Sequence, residues 1–325
     1  MPTVGIIANP VSGKDIRRLV AHGSVFDNQE KVRMVRRMLM GLEAVGVAQV
    51  VYMPDYYAIV ERANKGLHLA LETRAVDMSM DNSQADSTRA ARLMDEGHAG
   101  CLIVLGGDGT CRAVSKGTTR VPLLPISTGT NNVFPWMIEA SIAGLAAGLI
   151  ATDRVPMDAC TFRSSCLQVL MAGAVQDMAL VDAAVYKDSF IGSRAIWNLE
   201  KVTQVFLTRC SPVSIGLSAI GGQLRTILPD QQQGLHLCLG GSQRRVTAAI
   251  APGLFRSIPV KQEKLMQVGE TIAVTESPCV LALDGEREVE VQKGAVEIRL
   301  ARDGPVVVDP RAVMTSAQQR GVFVD

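Results

Sequence analysis

The chain has 325 residues, of which 47% are hydrophobic and 20% are charged, and its 33 basic residues face 32 acidic ones. A near-neutral chain of this composition is not disordered, it lacks the basic surface of a nucleic-acid-binding protein, and its length predicts two domains. The longest apolar run, at residues 138–151, contains Glu139 and is too short to span a bilayer. We therefore expect neither a nucleic-acid partner nor a membrane partner.

The first third of the chain alternates between strand and helix patterns. Four continuous apolar runs predict strands, and two stretches between them have a helical period. The strands are expected at residues 3–8, 48–53, 101–105 and 121–126, and the helices at residues 32–45 and 87–98. Continuous apolar strands separated by helices are typical of a parallel sheet covered on both faces. We therefore expect an α/β, Rossmann-like domain over residues 1–130.

The pattern changes after about residue 155, where short strand candidates follow one another between Gly, Pro and Asp residues. This spacing is typical of an antiparallel sandwich, so we expect a β-rich, sandwich-like domain over residues 131–305. One helix, at residues 193–208, is expected to interrupt it. A last helix, capped by Asp309 with Pro310 at its first position, is expected to pack residues 306–325 back on the first domain.

The cysteines and histidines do not form a metal-binding pattern. The seven cysteines contain no CxxC pair, and the four histidines are scattered along the chain. An odd number of unpaired cysteines, and the lack of a basic start before the first apolar stretch, predict reduced thiols in a cytoplasmic protein. The basic cluster at residues 31–38 has a helical period and is interpreted as a solvated helix face.

Three polar, glycine-containing segments follow predicted strands, at the edge where parallel sheets bind ligands. NPVSGK (9–14) follows the first strand, GGDGT (106–110) the strand at 101–105, and STGTNN (127–132) the strand at 121–126. Amides beside glycine, hydroxyls, a lysine and helix N-termini are groups that bind phosphate oxygens. The predicted phosphate-binding residues are Asn9, Ser12, Lys14, Gly106, Gly107, Gly109, Thr110, Ser127, Thr128, Thr130, Asn131 and Asn132.

Two common nucleotide-binding patterns are missing from these loops. The Walker A pattern GxxxxGK[ST] fails because Ala8 stands at its first position and Asp15 at its last. The dinucleotide pattern GxGxxG, counted from Gly107, fails at Arg112. A nucleotide site in these loops is therefore neither of the Walker A type nor of the dinucleotide-binding type. The missing GxGxxG pattern also argues against an NAD(P)-dependent dehydrogenase with an atypical glycine loop.

The combination of motifs resembles a known superfamily. GGDGT resembles the signature of the NAD kinase and diacylglycerol kinase superfamily, NPVSGK resembles the first glycine-loop motif of its lipid-kinase branch, and DGE (284–286) resembles that branch's C-terminal acidic motif. Nearly the whole chain is similar to the ATP-NAD kinase-like proteins named for acetoin catabolism, the protein X (AcoX) group, through PISTGTNNVFP (125–135) and ALVDAAVYKDSFIGSRAIW (179–197). The resemblance implies an NAD kinase-like fold that holds ATP and Mg²⁺ between its domains, in a homodimer or homotetramer.

Four carboxylates are candidates for catalysis: Asp108, Asp182, Asp284 and Glu286. Asp108 is suited to orienting an attacking hydroxyl or anchoring Mg²⁺, and its alternative role is an N-cap of the next helix. Asp284 and Glu286 occupy a predicted hairpin. Asp-Gly is a turn signal by itself, so a purely structural role is the alternative. Either carboxylate can bind the metal or act as base only if the β-rich domain folds over the strand ends. Asp108 and Asp284 are the predicted metal ligands.

Residues and resemblance together predict an ATP- and Mg²⁺-dependent kinase that transfers the γ-phosphoryl group to a hydroxyl of a small metabolite, acetoin-related or of the hydroxy-acid type, or of NAD. NAD kinases carry an Asn before an acidic residue where this chain has Val181 before Asp182, and this difference favours the small metabolite. The alternative is a non-catalytic ATP- or NAD-binding regulatory protein, which needs the glycine loops but no aligned carboxylate. A lipid acceptor is third, because no basic amphipathic surface is evident.

Overall fold

The computed structural model describes residues 1–13, 22–23, 26–188, 199–242 and 244–324, so the predicted phosphate ligand Lys14 lies outside the described residues. The helices are α1 (Asn28–Ala44), α2 (Ile59–Asn64), α3 (Gln84–Glu96), α4 (Asp108–Gly117), α5 (Ala140–Ala151), α6 (Met157–Cys160), α7 (Leu217–Gly222) and α8 (Pro310–Gln319). The strands are β1 (Thr3–Ala8), β2 (Gln49–Tyr52), β3 (Glu72–Ala75), β4 (Cys101–Gly106), β5 (Leu123–Ser127), β6 (Thr161–Arg163), β7 (Cys166–Met171), β8 (Ala174–Ala179), β9 (Asp182–Tyr186), β10 (Val202–Leu207), β11 (Gln233–Leu239), β12 (Arg245–Ala251), β13 (Leu254–Gln267), β14 (Thr271–Val274), β15 (Cys279–Leu283), β16 (Glu286–Val291), β17 (Val296–Ala301) and β18 (Val306–Val308).

The first sheet has the strand order β3-β2-β1-β4-β5-β18-β6. Its strands are parallel from β3 to β18, and β6 is antiparallel to β18. One apolar cluster packs α1, α5 and α8 on one face, and a second packs α3 and α4 on the other. The predicted Rossmann-like parallel sheet is therefore confirmed. Because β1, β4 and β5 are neighbours, the three polar loops that follow them meet at one edge.

Local signals at two helix starts explain where those helices begin. Ser83 caps α3 and forms a capping box with Asp86, so the helix starts at Gln84. The sequence pattern had predicted a start after Asp86. Asp309 caps α8 by accepting hydrogen bonds from the amides of Arg311 and Ala312, with Pro310 in the first turn. The predicted start of the last helix is confirmed.

Two antiparallel sheets form the β-rich part of the chain. The larger has the order β12-β13-β11-β10-β9-β15-β16, and the smaller has the order β14-β17-β7-β8. One apolar cluster lies between them and receives side chains from β7, β9, β10, β15 and β17. A further cluster covers the opposite face of the larger sheet and includes α7. This two-layer packing confirms the predicted sandwich-like domain.

The predicted helix at residues 193–208 is wrong over the described part of that range. Residues Leu199–Lys201 form a single 3₁₀ turn, and Val202–Leu207 form strand β10 in the middle of the larger sheet. Val205 and Phe206 point to opposite faces and are both fully buried, in different apolar clusters. Because both faces of β10 are covered, its apolar residues do not alternate with polar ones, and the strand was mistaken for a helix.

The packing also bears on where the first domain ends. Helix α5 contributes to the apolar cluster of the first sheet, although it lies beyond the predicted boundary at residue 130. Strands β6 and β18 are part of the first sheet, and α8 contacts α5. We therefore propose that the first domain comprises the chain up to about residue 163 together with residues 306–324, in place of a division at residue 130.

All seven cysteines are free, and burial raises the pKa of Cys101 and of Cys166 to about 12, so these thiols are packed and unreactive. Among the helices that the structure describes, none is both long enough and apolar enough to cross a membrane.

A buried histidine gives the fold a measurable pH dependence. His236 stacks on Phe206 at 4.4 Å between ring centroids and bonds to Gln204, and burial, with a smaller contribution from the charge of Lys264, lowers its pKa from 6.5 to about 4. Because folded His236 resists protonation, the free energy of unfolding falls as the pH drops from 6.5 towards 4. We expect the free energy of unfolding of His236→Gln to fall by about 2 kcal/mol less than that of the wild type over this pH range. Urea unfolding of both proteins at pH 7 and at acidic pH measures it, and equal pH dependences would contradict it.

Candidate functional site

A cleft of about 1310 Å³ lies between the strand ends of the first sheet and the β-rich domain. It brings most of the predicted site residues together. Those lining it are Asn9, Ser12, Gly107, Asp108, Gly109, Thr110, Thr130, Asn131, Asn132, Asp182, Asp284 and Glu286. Gly106, Ser127 and Thr128 are not part of the lining, although Gly106 and Thr128 are each next to a lining residue in the chain. The cleft therefore joins the three loops and the turn at residues 284–286 between β15 and β16, here called the acidic turn.

The first loop is tied to the other two by side-chain hydrogen bonds. The Asn9 Nδ2 donates to Thr110 Oγ1 at 2.9 Å, which links the end of β1 to the first turn of α4. The hydroxyls of Ser12 and Thr128 are 2.9 Å apart and hydrogen-bonded. These residues, predicted as phosphate ligands, thus also hold the three loops in register. Loops that are already ordered lose little conformational entropy when they bind a polyphosphate.

Lys31 supports the first loop from below, and the sequence interpretation of this residue is wrong. Its side chain is fully buried, and its Nζ donates to the carbonyl oxygens of Asn9 at 2.8 Å and Ser12 at 2.7 Å. The basic cluster at residues 31–38 is therefore not wholly a solvated face. The sequence did contain a signal for this burial, because Lys31 shares one helical face with Val35, Met38 and Leu42, which are all buried.

Two glycines of the second loop are closely packed, Gly106 against the β-branched side chain of Thr110 and Gly107 against the movable end of the Asn132 side chain. A Cβ on Gly106 would lie 2.4 Å from the Cβ of Thr110, and one on Gly107 would lie 2.6 Å from the Oδ1 of Asn132. At Gly109 the situation is different, since the nearest atoms to an added Cβ are 3.6 Å away, in Gln84 and Glu286. A methyl group at Gly109 would therefore point into the cleft without a clash.

This difference separates loop packing from ligand access. We expect Gly106→Ala to destabilise the fold by about 2 kcal/mol, because Thr110 and α4 must shift. Gly109→Ala should keep wild-type stability and weaken Mg²⁺–ATP binding about tenfold, because the methyl group blocks close approach to the backbone amide. Urea unfolding and calorimetric titration with ATP measure the two effects. If Gly109→Ala binds ATP as tightly as the wild type, the second loop is not a phosphate site.

Asp108 is held by the two backbone amides that directly follow the third loop. Its carboxylate accepts from the N–H of Phe134 at 2.8 Å and of Val133 at 3.0 Å, and the residue is 9% exposed. It is not the N-cap of α4, because Gly107 occupies that position without a side-chain cap bond. Through these hydrogen bonds Asp108 holds the segment after β5 against the start of α4.

Asp284 plays the same part for the β-rich domain. It sits in the turn between β15 and β16 with φ +52°, followed by Gly285 with φ +80°, as a tight hairpin turn requires. Its carboxylate accepts from the amides of Leu180 at 3.0 Å and Val181 at 2.8 Å. Burial raises the pKa of Asp284, although the positive charge of Arg112 and these amides act in the opposite direction.

The contacts of Asp108 and Asp284 bear on their predicted role as metal ligands, which stays a prediction. Both Asp108 and Asp284 direct oxygen atoms at backbone amides. No group of three or more His, Cys, Asp or Glu side chains in the described part of the chain is arranged to hold a metal ion. Mg²⁺ bound to a nucleotide needs only one or two protein carboxylates in addition to the phosphates. Because Asp108 and Asp284 are already engaged with backbone amides, we propose that another acidic residue of the cleft holds the metal.

Asp182 and Glu286 are the two remaining predicted carboxylates, and they begin different strands of the larger sheet, β9 and β16. Glu286 accepts from Gln84 Nε2 at 3.2 Å and lies next to Gly109, so it faces the GGDGT loop. Asp182 begins β9 in the larger sheet and is 6% exposed. Val181, at the place where NAD kinases carry an Asn, is fully buried and does not line the cleft.

The sequence did not point to the residues that connect the two domains below the cleft. Arg112 on α4 is 1% exposed, and its Nη2 lies 2.7 Å from Glu288 on β16. Its Nη1 lies 3.5 Å from Asp177 on β8. Asp177 and Glu288 lie 65 and 176 positions from Arg112, so no local pattern connects them. The sequence singled out Arg112 only as the residue that breaks the dinucleotide pattern.

Charge is distributed unevenly around the cleft. Among the lining residues that the structure describes, two are cationic, Arg245 and Arg256, and both lie on the β12–β13 hairpin. The acidic ones are Asp55, Asp86, Asp108, Asp182, Glu200, Asp284, Glu286 and Glu288. An acidic cleft repels a free nucleotide polyphosphate and accepts one whose charge a divalent cation reduces.

The chain is similar to known proteins over most of its length. The model of the ATP-NAD kinase N-terminal domain matches residues 4–155, and that of the Acetoin catabolism protein X C-terminal domain matches residues 165–303. A putative diacylglycerol kinase from Bacillus anthracis str. Sterne superposes with a TM-score of 0.46 at 13% identity, over 96% of this chain and 98% of that chain. The protein named Acetoin catabolism protein X from Cupriavidus necator is 37% identical over 304 residues, which are 89% of this chain and 84% of that protein. By this identity and coverage, the chain belongs to the acetoin catabolism protein X family, with an ATP-NAD kinase N-terminal domain.

Proposed function

We propose that this protein is an ATP- and Mg²⁺-dependent phosphotransferase that acts on a hydroxyl of a small metabolite. One observation carries the proposal: glycine-containing loops from three adjacent strands and carboxylates from the β-rich domain line a single cleft. Phosphoryl transfer needs positioning and charge neutralisation more than covalent help from the protein. The family's ATP-NAD kinase N-terminal domain supports the same reaction class.

The different neighbours of Glu286 and Asp182 suggest separate roles for these two carboxylates. Glu286, beside Gly109, would hold Mg²⁺ on the phosphates bound by the GGDGT loop. The metal would supply neutralisation of the phosphate oxygens. Asp182, on the β-rich side of the cleft, would accept the proton of the acceptor hydroxyl. Asp108 and Asp284 would keep both sides in place through the backbone amides that they bind.

The acceptor is proposed to be small and hydroxylated rather than NAD. The position that matches the Asn of NAD kinases carries Val181, whose side chain is buried and whose amide is used by Asp284. That position therefore has no polar side chain to offer a dinucleotide. The relative's name, Acetoin catabolism protein X, is consistent with an acceptor related to acetoin or to a hydroxy acid.

A ligand screen followed by an activity assay tests the function. Thermal shifts are measured with NAD, acetoin, diols and hydroxy acids, each with ATP and Mg²⁺, because a bound ligand raises the melting temperature by mass action. We expect ATP to stabilise the protein only when Mg²⁺ is present, and one acceptor class to add a further shift and to stimulate ADP formation. If ATP binds and no acceptor stimulates ADP formation, the regulatory alternative replaces the kinase.

A further inference from the structure

Arg112 joins helix α4 of the first domain to the acidic turn and to strand β16, which follows it. Its side chain is 1% exposed, and its Nη2 donates to Glu288 Oε1 at 2.7 Å. The Nε lies 3.6 Å from Asp284 Oδ2, and the Nη1 lies 3.5 Å from Asp177 Oδ1 on β8. One guanidinium from the first domain therefore reaches three carboxylates of the β-rich domain.

The helix face of α4 that carries Arg112 also meets Glu286. Gly109 and Arg112 are three positions apart in α4, so they lie on one face of the helix. An added Cβ on Gly109 would lie 3.6 Å from Glu286 Oε1, and Glu286 Oε2 accepts from Gln84 Nε2 at 3.2 Å. Helix α4 and strand β16 thus meet at two successive points, Gly109 with Glu286 and Arg112 with Glu288.

A bulge in β16 lies at the residue that binds Arg112. The pairing of β16 with β15 shifts between Ala282 and Leu281, which leaves Glu288 as the extra residue of β16. An extra residue interrupts the alternation of side chains along a strand and bends the strand, and bulges redirect side chains next to functional sites. The bulge and the ion pair therefore fix the same point of β16 against α4.

The burial of Arg112 has a cost that its partners offset incompletely. Its Nε is buried and has no hydrogen-bond acceptor among the described residues. Buried ion pairs contribute little net stability compared with well-packed apolar residues, because removing charges from water is costly. What Arg112 does provide is a defined geometry, since the planar fork of guanidinium donors sets the direction of a bound carboxylate. These properties favour a role in alignment over a role in stability.

We propose that Arg112 is a positioning residue that sets the distance between Glu286 and the GGDGT loop through its ion pair with Glu288. The part of this inference that concerns Mg²⁺ rests on the proposed function, in which Glu286 holds the metal on the phosphates. Arg112 does not contact the metal or the phosphates in this scheme. It holds β16 two residues beyond Glu286, and Glu286 carries the effect to the nucleotide site.

The test uses Arg112→Met, Arg112→Lys, Glu286→Gln and the control Lys116→Met. Lys116 is the matched control because it also extends from α4 and forms an interdomain ion pair, with Asp177 at 2.6 Å, on β8 rather than β16. Calorimetry measures the affinity for Mn²⁺ with a non-hydrolysable ATP analogue. Water-proton relaxation counts the water molecules on the bound Mn²⁺. Amide hydrogen exchange of residues 284–291 is followed in the protein without ligand.

For Arg112→Met we expect the affinity for the Mn²⁺–analogue complex to fall about tenfold and the bound Mn²⁺ to gain a water molecule, as in Glu286→Gln. Amides of residues 284–291 should exchange about tenfold faster in Arg112→Met, because β16 loses its anchor on α4. Arg112→Lys keeps the charge and should recover part of the affinity. Lys116→Met should stay within about twofold of the wild type in affinity and exchange, with no added water. A purely structural role of Arg112 predicts weaker binding without the added water.

The outcomes separate this inference from the proposed function. If Arg112→Met and Glu286→Gln change the metal site alike while the wild type phosphorylates no acceptor, the phosphotransferase function fails and the positioning role stands. If Glu286→Gln changes the metal site and Arg112→Met behaves like Lys116→Met, the positioning role is overturned. If Glu286→Gln leaves the metal site unchanged, Glu286 is not the ligand and exchange decides alone. Faster exchange in Arg112→Met than in Lys116→Met then supports the positioning of β16, and equal rates overturn it.

Two milder variants carry the test if Arg112→Met does not fold. Arg112→Lys keeps the positive charge, and Glu288→Gln keeps the size of the partner side chain and removes its charge. We expect each to weaken binding of the Mn²⁺–analogue complex about threefold and to speed exchange of residues 284–291. Wild-type affinity and wild-type exchange in both variants would overturn the proposal.

Discussion

Asp182→Asn is expected to lower kcat by about 10²- to 10⁴-fold while Mg²⁺–ATP binds as tightly as to the wild type. The reason is that Asp182 lines the cleft from the β-rich side, where a proton acceptor for the substrate hydroxyl is needed, and the nucleotide loops belong to the other domain. Asn has nearly the same shape and keeps the backbone contacts of the residue. Steady-state kinetics and calorimetric titration with Mg²⁺–ATP measure the two quantities.

Glu200→Gln is the matched control for Asp182→Asn. Glu200 also lines the cleft, on the 3₁₀ turn before β10, and removing its charge tests whether any acidic residue of the lining would have the same effect. We expect this variant to keep kcat within about threefold of the wild type. An equal loss of kcat in both variants would show that Asp182 acts only through the charge of the cleft, and not as the base.

Asp108 should behave differently when it is replaced by Asn and by Ala. Both the Val133 and the Phe134 amides donate to Oδ1, and an Asn side chain retains such an oxygen. We expect Asp108→Ala to lose about 2–3 kcal/mol of stability and nearly all ATP binding, because two amides are left without an acceptor and the loop after β5 moves. Asp108→Asn should lose less than about 1 kcal/mol and keep measurable turnover.

The comparison of these two variants decides between a structural and a chemical role for Asp108. A base or a metal ligand must be a carboxylate, so a chemical role predicts that Asn inactivates the protein as completely as Ala. Urea unfolding and ATP turnover are measured on both variants. Full inactivation of a stable, ATP-binding Asp108→Asn would return the catalytic role to Asp108 and contradict the assignment to Asp182.

The sequence was sufficient for the parts of the fold that depend on local pattern. The continuous apolar strands β1, β4 and β5 and the helix cap at Asp309 were recognisable, because strand burial and capping are written in neighbouring residues. The loops at 9–14, 106–110 and 127–132 could be grouped since each follows a parallel strand. Strand β10 was missed because both its faces are buried, so its pattern does not alternate.

The roles within the site could not be predicted from the sequence, because they depend on contacts between distant residues. Asp108 was recognisable as a motif residue, yet the amides that occupy its carboxylate come from residues 133 and 134. Arg112 and Glu288 are 176 positions apart, and no local pattern connects them. Lys31 is an exception, because the sequence did place it on the apolar face of α1. It was nevertheless interpreted as solvated, because its side chain is cationic, whereas it is buried.

The transfer of label from γ-³²P-ATP to an acceptor tests the central claim most directly. The wild type, with Mg²⁺ and the acceptor that gives the largest thermal shift, is assayed for labelled organic product, ADP and inorganic phosphate. A labelled organic product formed in equal amount to ADP, and lost in Asp182→Asn, is the predicted result. Tight ATP binding with no labelled product for any hydroxyl acceptor would contradict the account.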